Sequence, residues 1–268
     1  MSAKAALAIL RQEQHISVSA ISTYLRCPAQ FEHRYLLRTQ PTHRVGALAF
    51  GSAIHTSLAH FYRELMNDQP ELAADALVAM FSDAWSRELA SSIPVLFDKD
   101  ESADSVRDKG VALVRLFHAE APRPHQVIGV EEPFSIEVCD PTTGEVFDER
   151  LVGAIDAITL GDTGMTCLLE HKTGAKKRSF EGDLQGAAYT HVAPRIGLGE
   201  NVTVTYQLLT KTKTPALHIE TVSFTAADER DFLRTVAGVL AAVRTGAFYP
   251  RRDWQCRGCP YAGPCLAG

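Results

Sequence analysis

The sequence predicts an α/β protein: a mixed central sheet flanked by helices, a helical insertion, and a cysteine-bearing C-terminal segment. Three observations carry that expectation. Before Gln126 the apolar residues recur at helical spacing. From Gln126 onward, strand-length apolar runs are separated by turn signals, most clearly in Leu151–Gly174, two strands joined around Gly161-Asp162-Thr163-Gly164. At the end of the chain, Cys256, Cys259 and Cys265 form a C-x2-C-x5-C array among glycines and prolines.

The composition bounds the class. At 268 residues the chain is long enough to bury a full core, and 46% apolar with 22% charged residues is ordinary for a globular protein. No run of 18 or more apolar residues occurs, so no membrane span is expected. The first residues, Met1 to Arg11, make a poor signal peptide, and a cytoplasmic location is the expectation. A net charge of −5 argues against indiscriminate coating of nucleic acid but leaves room for a local basic groove.

In chain order, residues 16–38 read as two helical pieces. Ser17 or Ser19 caps the first, with Ile21, Tyr24 and Leu25 facing inward; Pro28 opens the second, with Phe31, Tyr35 and Leu36 inward. Residues 47–66 form an amphipathic helix with Ile54, Leu58, Phe61 and Leu65 on one stripe and His55 at its edge. A single histidine there is most often a packing residue. Helices over 71–89 and 102–120 carry apolar faces and no evident chemistry; they read as an insertion, about 68–125, that walls the site. Strands follow from Gln126, then a turn at Asp140–Gly144, then the central hairpin. A basic loop, Lys176-Lys177-Arg178, precedes a helix over 183–192 that sets Gln185 and Tyr189 on one face. Strands at 202–210 and 216–224 and a helix over 226–245, closed by Gly246, complete a main domain of residues 1–250. Residues 251–268 form the terminal segment.

The hairpin carries charges that a buried strand normally lacks. Asp156 interrupts one apolar strand, and Glu170 and Lys172 end the other. Buried carboxylates need a partner, and a cation is the usual one. Alternation puts Glu170 and Lys172 on one face and His171 on the other, and pairing of the strands would bring Asp156 to Glu170. Two carboxylates suit Mg²⁺ or Mn²⁺, and a lysine beside them suits the orientation of an attacking water. A salt bridge capping the hairpin is the competing reading. The three terminal thiols fit zinc or an iron–sulfur cluster short of one ligand. Cys139 and Cys167 read as packing residues within strands, which leaves Cys27, at the junction of two helices, as the best fourth ligand.

The ordered set resembles the RecB-like branch of the PD-(D/E)xK nuclease superfamily that carries an iron–sulfur cluster, as in CRISPR-adaptation nucleases and the AddB nuclease domain. Ser17-x-Ser19…Cys27-Pro28-x-x-Phe31 resembles its first-cysteine motif, and Gly51-x-x-x-His55 its histidine motif. Gly153-x-x-Asp156, Glu170-His171-Lys172-Thr173-Gly174 and Gln185-x-x-x-Tyr189 resemble its catalytic motifs, and C-x2-C-x5-C closes the series. The resemblance implies a restriction-endonuclease-like core and a metal-dependent DNA nuclease, an exonuclease on single strands or DNA ends in recombination, repair or CRISPR adaptation. It implies that His55, Asp156, Glu170 and the carbonyl of His171 hold Mg²⁺ or Mn²⁺, and that Lys172 assists water. Gln185 and Tyr189 would contact the strand or buttress Lys172. Cys27, Cys256, Cys259 and Cys265 would bind a 4Fe–4S cluster. DNA is the implied partner, with CRISPR-adaptation or helicase proteins beside it. The alternative is a nuclease-inactive DNA-end-binding module of such an assembly, against which the intact Asp156, Glu170 and Lys172 count. The sequence departs from the pattern in His171, where an aromatic is typical, and in its long insertion.

Overall fold

A computed structural model of the protein describes residues 3–161 and 164–267. The chain opens with α1 (Ala3–Leu10), the two-residue strand β1 (His15–Ile16), and α2 (Val18–Arg26). Ser17 rather than Ser19 is the N-cap of α2, its hydroxyl accepting the Ala20 N–H at 3.2 Å. The second expected helix is short, α3 (Pro28–Phe31), and runs into a π-helical turn over Glu32–Leu36. Then come β2 (Arg44–Val45), α4 (Gly46–Met66), α5 (Ala74–Leu89), β3 (Val95–Leu96) and α6 (Ala103–Glu120). The strand-rich part holds β4 (Gln126–Ile136), β5 (Arg150–Leu160), β6 (Thr166–Gly174), α7 (Leu184–Arg195), β7 (Val202–Thr210), β8 (Ala216–Val222) and α8 (Ala226–Arg244). A 3₁₀ turn (Trp254–Gly258) and α9 (Ala262–Ala267) end the described chain. The hairpin turn expected at Gly161–Gly164 includes Asp162 and Thr163, which lie outside the described residues.

Six strands form one mixed sheet, ordered β1-β5-β6-β7-β8 with β4 pairing β5. The β5 strand governs the geometry. One of its edges is paired with β4 from Leu151 to Leu160. Its other edge is shared: β1 takes Arg150 and Leu151 in parallel, and β6 takes Ala157 to Leu160 antiparallel. Between those contacts β5 and β6 diverge, and Asp156 is the first residue beyond the last β6 pair, Ala157 with Leu169. Past that point β6 continues on β7 alone, in parallel register through Glu170, His171 and Lys172 to Gly174. The sheet therefore opens into a fork between β5 and β6.

Alternation along the strands feeds two cores. Ile158, Leu168, Val204 and Leu208 face one side, where they meet Ile21, Tyr189, Val192, Phe232 and Val236. Ala157, Leu169 and Leu209 face the other, against Phe50, Ile54 and Leu58 of α4, Phe81 and Trp85 of α5 and Phe117 of α6. The helices expected as an insertion thus share one core with α4 and the back of the sheet. Each such large apolar side chain stabilises by about 1.5–3 kcal/mol when fully buried. Gly153, in the aspartate-bearing strand, is required by this packing: a Cβ there would lie 2.5 Å from the ring of Phe134.

Some expected details are corrected. Leu25 and Leu36 are each 48% exposed rather than buried. Leu25 follows Tyr24 by one residue, about 100° around the helix, and Tyr24 points inward to donate to the Ala247 carbonyl at 2.8 Å. Leu36 ends the π-helical turn Glu32–Leu36, none of whose residues is buried. Cys139 lies past the end of β4, in an isolated bridge with Val146. Among the described residues no helix is long and apolar enough to cross a membrane.

Candidate active site at the strand fork

The fork gathers the charged residues of β5, β6, α4 and α7. Beyond Leu169 the β6 edge has lost β5, so the His171 N–H lacks a ladder partner there. The Asp156 carboxylate supplies one, Oδ2 accepting that N–H at 2.8 Å. The His171 ring turns to the same oxygen, its Nδ1 at 3.3 Å. The other oxygen, Oδ1, faces Nδ1 of His55 on α4 at 3.3 Å. Asp156 and His55 retain 21% and 35% of their side-chain surface, so the fork is open to solvent on this side.

Glu170 lies deeper, 3% exposed, and points to α7. Its Oε2 accepts the Tyr189 hydroxyl at 2.6 Å and the Gln185 amide at 2.8 Å. Its Oε1 accepts from Lys172 Nζ at 2.8 Å, and Lys172 also donates to Gln185 Oε1 at 2.8 Å. Four side chains thus close a hydrogen-bonded ring. The i, i+4 spacing on α7 presents Gln185 and Tyr189 together. Asp183 caps that helix, its Oδ1 accepting the Gln185 N–H at 3.1 Å. Gly186 lets α7 approach the sheet, since a Cβ there would come within 2.2 Å of the Phe224 ring.

The electrostatics separate the two carboxyls. Burial would raise Asp156, but the attraction of His55 and hydrogen bonds from His171 and His55 hold it well below the usual carboxylate range. Burial, reinforced by the charge of Asp156, pushes Glu170 up against the pull of Lys172. Burial would lower His55, but Asp156 outweighs it and raises the imidazole to about 9. Burial would also lower Lys172, yet Glu170 keeps it above its ordinary value. Tyr189 is raised well above its ordinary value, by burial and then by Glu170. A carboxyl pushed up by the charge of a neighbouring carboxylate is a setting into which a further cation fits.

Among the described residues, no three His, Cys, Asp or Glu side chains converge closely enough to hold a metal ion as they stand. The donor set itself suits a hard divalent cation: two carboxylates, one imidazole and a strand carbonyl, with the carboxylates occupied by the protein's own donors. Asp156 and Glu170 would be the next ladder pair after Ala157 with Leu169, and β5 and β6 part before it. The two meet across the fork, within electrostatic range.

Cys259 has the other three expected cluster cysteines as electrostatic neighbours. Burial pushes the Cys259 thiol up, a Tyr261 backbone hydrogen bond opposes it, and the nearby Cys27, Cys256 and Cys265 add to the rise. Cys27, Cys256 and Cys265 therefore each lie within electrostatic range of Cys259. Cys167 lies apart in β6, its Sγ 3.0 Å from the Thr205 hydroxyl. The terminal segment has more of its own anchorage than its composition suggests. Tyr261 is buried and stacks on His33 at 5.9 Å. Thr42 bonds the Pro260 carbonyl through its N–H and its hydroxyl, and His43 Nε2 lies 3.1 Å from the Gly258 carbonyl.

In the basic loop, Lys176, Lys177 and Arg178 are exposed. Arg178 is engaged internally, 3.5 Å from Asp183 and 4.3 Å above the Phe180 ring. Lys213 is exposed, while Lys211 lies 5.5 Å over the Phe50 ring. Sequence reasoning missed the surroundings of His171. Its ring lies against Tyr62 at 5.3 Å and against Phe117, of the supposedly inert insertion, at 6.0 Å. The signal available was a histidine where the strand pattern asks for an apolar residue.

Comparison with known proteins follows the same outline. The family model described as the PD-(D/E)XK nuclease superfamily matches residues 15–266. No curated protein matches the chain. Among solved structures, one named "Putative exonuclease" from Eubacterium rectale superposes with a TM-score of 0.55 at 12% identity, covering 95% of this chain and 88% of that one. A second, the protein called SSO0001, gives a TM-score of 0.38 at 14% identity, over 90% of this chain and 94% of that one. The first of these shows a shared fold; the second is too distant for an argument.

Proposed function

The chain belongs to the PD-(D/E)XK nuclease superfamily, whose members use divalent metals, and from that premise we propose a DNA exonuclease acting on single strands or ends. One observation carries the reading: Asp156 and Glu170 face each other across the strand fork with Lys172 bonded beside them. His55, Asp156, Glu170 and the His171 carbonyl would hold Mg²⁺ or Mn²⁺. When bound there, the cation supplies neutralisation of the phosphodiester's charge and activation of water at neutral pH. The protein's own groups do the positioning. Lys172, fixed by Glu170 and Gln185, presents a cationic N–H to a water or to the developing negative charge at the scissile phosphate. Gln185 holds Lys172 through one end of its amide and Glu170 through the other. Tyr189 fixes the Glu170 carboxylate from beneath.

Cys27, Cys256, Cys259 and Cys265 are the residues that would hold a 4Fe–4S cluster, a reading supported by the placement of the other three near Cys259. A bound cluster would supply a cross-link between the start and the end of the chain. The nuclease-inactive alternative loses ground because the Asp156, Glu170 and Lys172 contacts are all intact. The test is digestion of end-labelled single- and double-stranded DNA with Mn²⁺, beside a chelator control. Stepwise shortening of single strands or of ends that stops on chelation is the expected result. Binding of ends with no cleavage under any divalent metal would favour the inactive module.

A further inference from the structure

His171 is more than a filler at the middle position of the Glu-x-Lys motif. The residue is 2% exposed, and its side chain faces α4, opposite to its neighbours Glu170 and Lys172. Rings enclose it: Tyr62 at 5.3 Å, Phe117 at 6.0 Å and His55 at 6.0 Å. In that enclosure its Nε2 is a buried polar side-chain atom without a hydrogen-bond partner. Leaving a ring nitrogen unpaired there costs its hydration, and a phenylalanine would occupy the same aromatic surroundings without that cost. What the histidine gains is on its other edge. Nδ1 lies 3.3 Å from Asp156 Oδ2, the same oxygen that accepts the His171 backbone N–H at 2.8 Å.

Resting on the nuclease reading, we propose that the His171 imidazole is a positioning residue that anchors Asp156 Oδ2 and leaves Oδ1 as the oxygen offered to the cation. The two contacts from one residue fix the rotation of the carboxylate. That anchor persists when His55, 3.3 Å from Oδ1, turns from Asp156 to the cation. Anchoring partners of this kind around a ligand carboxylate typically change metal affinity about 10- to 100-fold.

The test is calorimetric titration of the full-length, metal-free chain with Mn²⁺, together with its melting temperature. His171→Phe should weaken Mn²⁺ binding by about 10- to 100-fold while melting no lower than wild type, because the unpaired nitrogen is gone. His171→Asn, whose amide N–H lies near the position of Nδ1, should keep most of the affinity. His171→Gln places its amide nearer the position of Nε2 and should bind weakly. If His171→Phe does not fold, the Asn and Gln variants decide, and equal affinities for those two overturn the proposal. Asp156→Ala separates the two levels. Wild-type Mn²⁺ affinity in His171→Phe, with weak binding in Asp156→Ala, refutes the anchoring role alone. Wild-type affinity in Asp156→Ala refutes the metal-site reading beneath it.

Discussion

Replacing Tyr189 by phenylalanine removes one oxygen from the deepest part of the site and almost nothing else. The hydroxyl donates to Glu170 Oε2 at 2.6 Å, and both residues are buried, so water does not replace it. A hydrogen bond to a charged group contributes about 1.5–3 kcal/mol. Glu170 keeps Gln185 on the same oxygen and Lys172 on the other, so the carboxylate is not orphaned and the lower figure applies. For a chain of this size about 1.5 kcal/mol lowers the melting temperature by roughly 3–6 °C. The sign of the pH effect follows as well. Glu170 is already raised by burial and by Asp156, and Tyr189 is one of the donors opposing that rise. Without the hydroxyl its carboxyl is raised further, so the acid limb of the activity profile should move to higher pH. Thermal unfolding by circular dichroism and single-strand digestion with Mn²⁺ across pH measure the two effects. An unchanged melting temperature with an unmoved acid limb would refute the claim that Tyr189 fixes Glu170.

Three other outcomes are expected. In the metal-free protein His55 is raised to about 9 by Asp156, so the stability it contributes is complete below the ordinary histidine pKa of about 6.5 and is lost as pH rises through about 9. Chemical denaturation between those pH values should show that loss, and His55→Ala should flatten it; an equal slope in both proteins would contradict the pairing. Lys176→Ala with Lys177→Ala should flatten log K for single-stranded DNA against log salt by roughly 1.4, while an unchanged slope would put the phosphate track elsewhere. Cys27→Ser and Cys259→Ser should each lose iron content, and Cys139→Ser and Cys167→Ser should keep it; iron retained by Cys27→Ser and lost by Cys167→Ser would identify a different fourth ligand.

Much of the site was legible because its chemistry is local in sequence. The Glu170–Lys172 spacing fixes a shared strand face, and the Gln185–Tyr189 spacing fixes a shared helix face; both hold in the structure. The strands from β4 to β8 were legible from strand-length apolar runs between turn signals, and α4 from its apolar stripe. What was not legible depends on contacts distant in sequence. Nothing in Leu151–Gly174 says that β5 and β6 part at Asp156; that follows from β1 taking the far end of the β5 edge. Two-residue strands such as β1, β2 and β3 carry no periodicity to read. The π-helical turn over Glu32–Leu36 has no compositional sign. The anchorage of the terminal segment, through its carbonyls and Tyr261, likewise depends on residues far back in the chain.

The central claim is that Asp156 and Glu170 hold a cation while Lys172 acts on the reacting phosphodiester. It is tested most directly by measuring Mn²⁺ binding and single-strand cleavage together in Lys172→Ala and Asp156→Ala. The expected result is that Lys172→Ala binds Mn²⁺ and does not cleave, whereas Asp156→Ala does neither and both remain folded. Cleavage by Asp156→Ala near the wild-type rate would contradict the account.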